Sequence, residues 1–158
     1  MIGRIREATR ADARAITQVH VASRTFSYGS ALDPGDARRD RLPMWTRFLT
    51  EPDRTTLVIE SDTSLFGFIH LRGPQDQTEP VELVGLYVVP AAIGTGIGTR
   101  LYEEFDSRRG SRAAQLEVWD GNARAKSFYA NRGWAPTAQT REGVANRPFV
   151  TWFLLPPS

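Results

Sequence analysis

The chain is 158 residues long, 41% hydrophobic and 24% charged, an ordinary globular composition that suits a single domain over residues 1–158 with a sizeable core. Net charge is only +2 and cysteine is absent, which excludes a disulfide framework, a thiolate metal site and an acyl-enzyme through a thiol. Scattered arginines, with Lys126 the single lysine, and no apolar run near the roughly 18 residues of a membrane span point to a cytoplasmic protein without a nucleic-acid or bilayer surface.

Ile2 to Glu7 alternates apolar and polar side chains and reads as an edge strand, not as the continuous apolar centre of a signal peptide. Thr9, three residues before Asp12, resembles a capping box that opens a helix. Ala15, Val19, Ala22 and Phe26 recur at helical spacing and predict its buried stripe. Tyr28-Gly29-Ser30 breaks the pattern, and Asp33-Pro34 reads as the N-cap and first-turn proline of a short second helix. Pro43 is expected to interrupt that helix before Met44 to Leu49 adds another apolar turn or two.

From Thr55 the period changes. Thr56 to Glu60 and Leu65 to Leu71 are rich in Val, Ile and Phe around Ser61-Asp62-Thr63-Ser64, a hairpin signal. Gly73 to Pro80 is a polar loop before a third long strand, Val81 to Val89, which Pro90 ends. A glycine-rich turn leads into a helix from about Gly98 to Arg109, then a short strand at Gln115 to Val118 and a helix at Asn122 to Asn131. Two closing strands, near Thr137 to Arg141 and Pro148 to Leu155, pair antiparallel around Glu142-Gly143. This order gives an α/β sandwich whose mixed, mostly antiparallel sheet has about seven strands and about four flanking helices.

The sharpest signal lies between Val88 and Thr99. Gly94, Gly96 and Gly98 stand at every second position and let the backbone turn tightly with its N–H groups inward. The helix beginning there adds unpaired N–H groups and the positive end of its dipole. Such a turn can hold a pyrophosphate without charged side chains, or it can be a plain strand-to-helix linker. It is neither the Gly-x-Gly-x-x-Gly dinucleotide fingerprint nor a Walker loop, because Gly98 is followed by Thr99 and Arg100.

Val88-Val89-Pro90, then Gly94-Thr95-Gly96 opening a helix, then Asn122-Ala123-Arg124-Ala125-Lys126-Ser127-Phe128-Tyr129 ending in Arg132-Gly133-Trp134, resembles the GNAT superfamily of acyl-CoA-dependent N-acyltransferases. The motifs cover about Val81 to Trp134, and the element order extends the resemblance over the chain. The resemblance implies a V-shaped splay between the fourth and fifth strands after a bulge, and acetyl-CoA as co-substrate with no metal. Backbone groups of Leu86 and Val88, on either side of Tyr87, would pair with the pantetheine arm as an added strand does. The N–H groups of Ile93, Gly94, Thr95, Gly96, Ile97, Gly98 and Thr99 would hold the pyrophosphate. Ile93 departs from the family, which usually has Arg or Gln there, and removes whatever contact that side chain makes.

Acyl transfer from a thioester to an amine needs a base for the amine and benefits from an acid for the departing thiolate. By the resemblance Tyr129 is that acid, and a phenol of pKa about 10 is protonated at neutral pH; the alternative is that Tyr129, beside Phe128 on an amphipathic helix, only packs. Asn122 matches a helix-opening residue that also contacts the cofactor arm, and is in any case a plausible N-cap. Glu82, at the start of the third long strand, matches a glutamate that deprotonates the amine through water, or is a solvent-facing or substrate-orienting charge. His70, mid-strand, reads as a satisfied packing histidine more readily than a cleft residue, and His20 lies near the expected acceptor wall. No spacing of His and carboxylates makes a metal site. Trp45, Trp119, Trp134 and Trp152 read as core or interface aromatics.

These features imply transfer of an acetyl group to a primary amine by direct attack. The acceptor would be a small molecule or peptide and the enzyme a monomer or homodimer, with no nucleic-acid or membrane partner. A non-catalytic acyl-CoA sensor would share the glycine turn and lack turnover. The acceptor is expected to be shaped by the first two helices, by Ser27 to Leu42 and by Arg141 to Arg147, none of which names a substrate.

Overall fold

The computed structural model describes residues 3–73 and 79–158, so most of the polar loop expected between Gly73 and Pro80 lies outside the described residues. Seven strands, β1 (Arg4–Glu7), β2 (Arg54–Glu60), β3 (Leu65–Arg72), β4 (Val81–Val88), β5 (Ala114–Trp119), β6 (Ala135–Arg141) and β7 (Phe149–Leu154), form one sheet in the order β1-β2-β3-β4-β5-β7-β6. Every neighbouring pair is antiparallel except β4 and β5, which run parallel. The five helices are α1 (Ala13–Tyr28), α2 (Pro34–Ala37), α3 (Leu42–Phe48), α4 (Ile97–Arg109) and α5 (Ala123–Ala130).

Two cores result, one on each face. β2 and β3 are apolar at consecutive positions because helices cover both sides of them. Val58 and Phe68 point towards Ile16 and Val19 of α1 and Trp45 of α3. Leu57, Ile59 and Ile69 point the other way, towards Leu101, Tyr102 and Phe105 of α4 and Tyr129 of α5.

The local signals act much as their chemistry dictates. The Thr9 N–H donates to Asp12 Oδ2 at 2.7 Å, and Arg6 grips Asp12 (2.8 and 2.9 Å) and Glu60 (2.8 and 2.9 Å) together, which fastens the entry of α1 to the edge of the sheet. Asp33 caps α2 by accepting from the Asp36 N–H at 3.1 Å.

Three expectations are corrected. The buried stripe of α1 is Ala13, Ile16, Val19 and His20; Ala15 and Ala22 lie at its margin, and Phe26 is 54% exposed because the last turn of α1 runs past the sheet to the mouth of a cleft. Pro43 starts α3 instead of interrupting a helix, since a first-turn N–H has no intrahelical acceptor to lose. The β6–β7 connection is longer than a turn at Glu142-Gly143, because Val144–Asn146 adds a 3-10 turn with Ala145 and Asn146 at φ of 53° and 61°.

One irregularity opens the sheet. β3 pairs His70 with Gly85 and then Leu71 with Leu83, so Val84 is an extra residue on β4. A bulge bends its strand. β4 meets β5 only at Val81–Ala114 and Glu82–Gln115. Beyond Glu82 the two parallel strands diverge and leave a cleft.

Candidate active site

Strand geometry decides what β4 offers this cleft. The Val89 N–H donates to the Phe66 carbonyl at 2.9 Å, towards β3. Backbone polar groups alternate sides along a strand, so those of Tyr87 also face β3, and those of Leu86 and Val88 face the open side. The ring of Tyr87 turns back over Gly85, where a Cβ would come within 2.2 Å of it, and packs on His20 (4.7 Å) and Phe68 (5.1 Å).

The glycine turn lies at the open end. Gly94 and Gly96 take φ of 79° and 89°, conformations that side chains with a Cβ rarely adopt. The N–H groups of Ile93 and Thr95 are used inside the loop, donating to Pro90 and Ala92 at 3.2 and 3.3 Å. The first α-helical bond of α4 runs from Arg100 N–H to Gly96 O at 3.1 Å. The N–H groups of Gly94, Gly96, Ile97, Gly98 and Thr99 therefore have no partner among the described residues, and they stand at the positive end of the helix dipole. Of the seven residues expected to supply N–H donors, five have them free. Ile97 is only 1% exposed, so it offers its backbone alone.

The cleft has two lobes. The larger, about 560 Å³, is lined by Leu86, Val88, the glycine turn, Asn122 and Phe128. The smaller, about 300 Å³, lies under the last turn of α1 and is lined by Glu82, Tyr87, Trp119 and Phe149, among others. Leu86, Asn122, Tyr129, Ser23, Ser27 and Ala125 line both. Tyr129 thus sits where the lobes join.

Tyr129 reaches this point because Asn122 starts α5 there, its Oδ1 accepting from the Ala125 N–H at 3.1 Å. The Tyr129 ring packs edge-on against Phe128 (5.3 Å) and Trp134 (5.7 Å). Among the described residues no fully buried side-chain polar atom lacks a partner, and the Tyr129 hydroxyl has no hydrogen bond to protein. It therefore opens onto the cleft. Burial raises its pKa above the ordinary phenol value, with Tyr87 and Tyr102 adding to the effect, so the proton is retained across the physiological range.

The histidines stay out of this arrangement. His70 is fully buried; Arg54, which can only donate, gives to Nε2 at 3.0 Å, so Nδ1 carries the proton shared with Thr56 Oγ1 at 2.7 Å. His20 accepts from the Trp45 indole N–H at 3.0 Å. Burial, then nearby arginines, lowers both pKa values to about 3, which keeps both rings neutral. His20 is buried and lines neither lobe. All four tryptophans are buried, and Trp119 also lines the smaller lobe. Among the described residues no group of three or more His, Asp or Glu is arranged to hold a metal, and no helix is long and apolar enough to cross a membrane.

One residue was not singled out from the sequence. Arg132 lines the larger lobe across from the glycine turn, donating to Thr99 Oγ1 at 3.2 Å and to the Phe128 carbonyl at 2.9 Å, with its guanidinium 3.5 Å above the Phe128 ring. It pairs with no carboxylate among the described residues, and only Arg124 joins it as a charged side chain on that wall. The signal was its position three residues after Tyr129, one turn further along the same helical path.

A parallel strand pair split by a bulge, a glycine turn with free N–H groups at a helix start and a tyrosine where two lobes join make up this cleft. The chain belongs to the acetyltransferase (GNAT) family, whose model matches residues 18–134, and it is an acyltransferase by that membership. A comparison with curated proteins found no match. Among solved structures, PaiA N-acetyltransferase from Thermoplasma acidophilum, in complex with coenzyme A, is similar at 21% identity and TM-score 0.72, over 96% of this chain and 98% of that one. The ribosomal-protein-alanine N-acetyltransferase from Escherichia coli aligns at 16% identity and TM-score 0.77, over 97% and 93%. YncA from Salmonella typhimurium, solved with its cofactor acetyl-CoA, aligns at 22% identity and TM-score 0.71, over 100% and 96%.

Proposed function

We propose that this protein transfers the acetyl group of acetyl-CoA to a primary amine by direct attack of the amine in a ternary complex. The observation that carries the proposal is the meeting of the two lobes at the Tyr129 hydroxyl. The larger lobe fits a pantetheine diphosphate: Leu86 and Val88 present amide groups to an extended arm, and five free N–H groups face a polyanion at a helix start. Bound acetyl-CoA supplies an activated thioester. Glu82, on the smaller lobe, accepts the proton the amine sheds, through water, and Tyr129 gives its proton to the departing sulfur. Asn122 fixes the start of α5 and with it the place of Tyr129.

A non-catalytic acyl-CoA sensor would need only the larger lobe, and the presence of a second lobe with a carboxylate favours transfer. The test is release of CoA thiol from acetyl-CoA across pools of primary amines. Amine-dependent release supports transfer; tight acetyl-CoA binding with no release from any pool supports the sensor.

A further inference from the structure

The smaller lobe carries a charge pattern and an aromatic wall beyond what proton transfer requires. Alternation along the strands brings them together. On β5 the core residues Leu116 and Val118 face α4, so Glu117 and Trp119 face the opposite side of the sheet; on β7, Phe149 faces that side too, because Val150 and Trp152 alternate with it. α1 roofs the lobe with Arg24 and Tyr28, whose ring meets Trp119 at 5.0 Å.

The two arginines on this wall already have partners. Arg141 Nε donates to Glu117 Oε2 at 2.7 Å, and its guanidinium lies 4.2 Å from the Phe149 ring centre. Arg24 hydrogen-bonds Asp36 and lies 4.9 Å from the Tyr28 ring centre. Glu82 is different. Its cross-strand neighbour Arg72 turns to Asp53, donating from Nε at 3.2 Å, and Glu82 makes no ion pair among the described residues. Glu82 is therefore the one charged side chain lining the lobe with no ion-pair partner among the described residues, while Arg24 shares Asp36 with Arg41.

That pattern discriminates. An ammonium group entering the lobe meets the Glu82 carboxylate, which favours a cation, and the rings of Tyr28, Trp119 and Phe149 line the same lobe. A carboxylate beside that ammonium finds both arginines of the lobe already paired with carboxylates and is repelled by Glu82, and leaving a charge unpaired away from water is costly. The apolar rings offer a surface for an organic body, and about 300 Å³ is at the small end of ligand sites.

Resting on the transfer reading for which lobe holds the acceptor, we infer that the acceptor is a small primary amine with an aromatic or apolar body and no carboxylate next to the amine, an arylalkylamine and not an α-amino acid. The test uses the full chain with three probes of nearly equal body: phenethylamine, phenylalaninamide and phenylalanine. Binding is measured by calorimetry in the presence of CoA, and turnover by thiol release with acetyl-CoA. Phenethylamine and phenylalaninamide should bind, and each should exceed phenylalanine at least about tenfold in affinity and in kcat/KM. Glu82→Gln should bring phenethylamine and phenylalanine within about threefold in binding. Phenylalanine bound or acetylated as well as phenethylamine, or no binding by any of the three, overturns the inference. Selective phenethylamine binding without thiol release leaves the inference standing and removes the acetyl-transfer reading instead.

Discussion

Tyr129→Phe isolates one atom. The hydroxyl opens onto the cleft and bonds to no protein group, so its removal leaves no buried partner unsatisfied. The ring contacts with Phe128 and Trp134 survive in phenylalanine. Stability should change by less than about 0.5 kcal/mol, as for substitutions that create neither a cavity nor an orphaned group. Turnover should fall about a hundredfold, the lower end of what a positioned acid contributes, which is about 2.7 kcal/mol of barrier. The assay follows CoA thiol release under saturating acetyl-CoA, with a thermal melt and a calorimetric titration on the same sample. Because burial raises the phenol pKa, the wild-type rate should hold on the alkaline side past pH 10, where an ordinary tyrosine would already lose its proton. An unchanged kcat in the variant would refute the acid role, and an alkaline fall in the wild type near pH 9 that the variant lacks would refute the raised pKa.

Gly96→Val places a β-branched residue at a φ of 89°, costing about 1–3 kcal/mol of strain with no steric clash, since nothing lies within 4 Å of the added Cβ. Acetyl-CoA affinity should drop more than tenfold while the chain still folds, and retained affinity by calorimetry would remove the glycine turn from the site. Arg132→Gln should weaken acetyl-CoA about tenfold and leave the phosphate-free acetyl-pantetheine unaffected, because only the former presents anions to that guanidinium. Equal losses for both ligands would mean Arg132 acts through packing on Phe128. His20 and His70 stay neutral when folded, with pKa values of about 3, but bind protons near pH 6.5 when unfolded. Stability is thus fully present above pH 6.5 and falls as pH drops, by up to about 2.7 kcal/mol per pH unit for the pair. Urea midpoints at pH 7.5 and 5.0 test this above the range where Asp12, Asp36 and Glu60 take up protons, and identical midpoints contradict it.

The order of elements was legible because β2, β3, α4 and α5 each carry their own period and their own stops. Pro90, Gly96 and Asn122 fall at element ends and say so chemically. The face of α1 was misread because alanine fits a buried stripe and its margin equally, so Ala15 and Ala22 gave a false phase while Ile16 held the true one. The bulge at Val84 left no trace in the sequence; valine suits a regular strand as well as an irregular one, and only pairing with β3 exposes it. Much of the larger lobe's lining was readable from one contiguous stretch, Leu86 to Thr99. The smaller lobe was not, because Arg24, Glu82, Trp119, Arg141 and Phe149 come from five separate elements that meet only in the folded sheet. Arg132 escaped for a related reason: its importance comes from the glycine turn it faces, more than thirty residues earlier in the chain, with |i−j| of 33 to Thr99.

The most direct test of the central claim is a calorimetric titration of the purified protein with acetyl-CoA, followed in the same cell by a mixed pool of primary amines and a thiol-detecting reagent. Binding in the micromolar range, then amine-dependent release of CoA, is the predicted result. Absence of acetyl-CoA binding would contradict the account, since the free N–H groups of the glycine turn and the amides of Leu86 and Val88 would then have no ligand to serve.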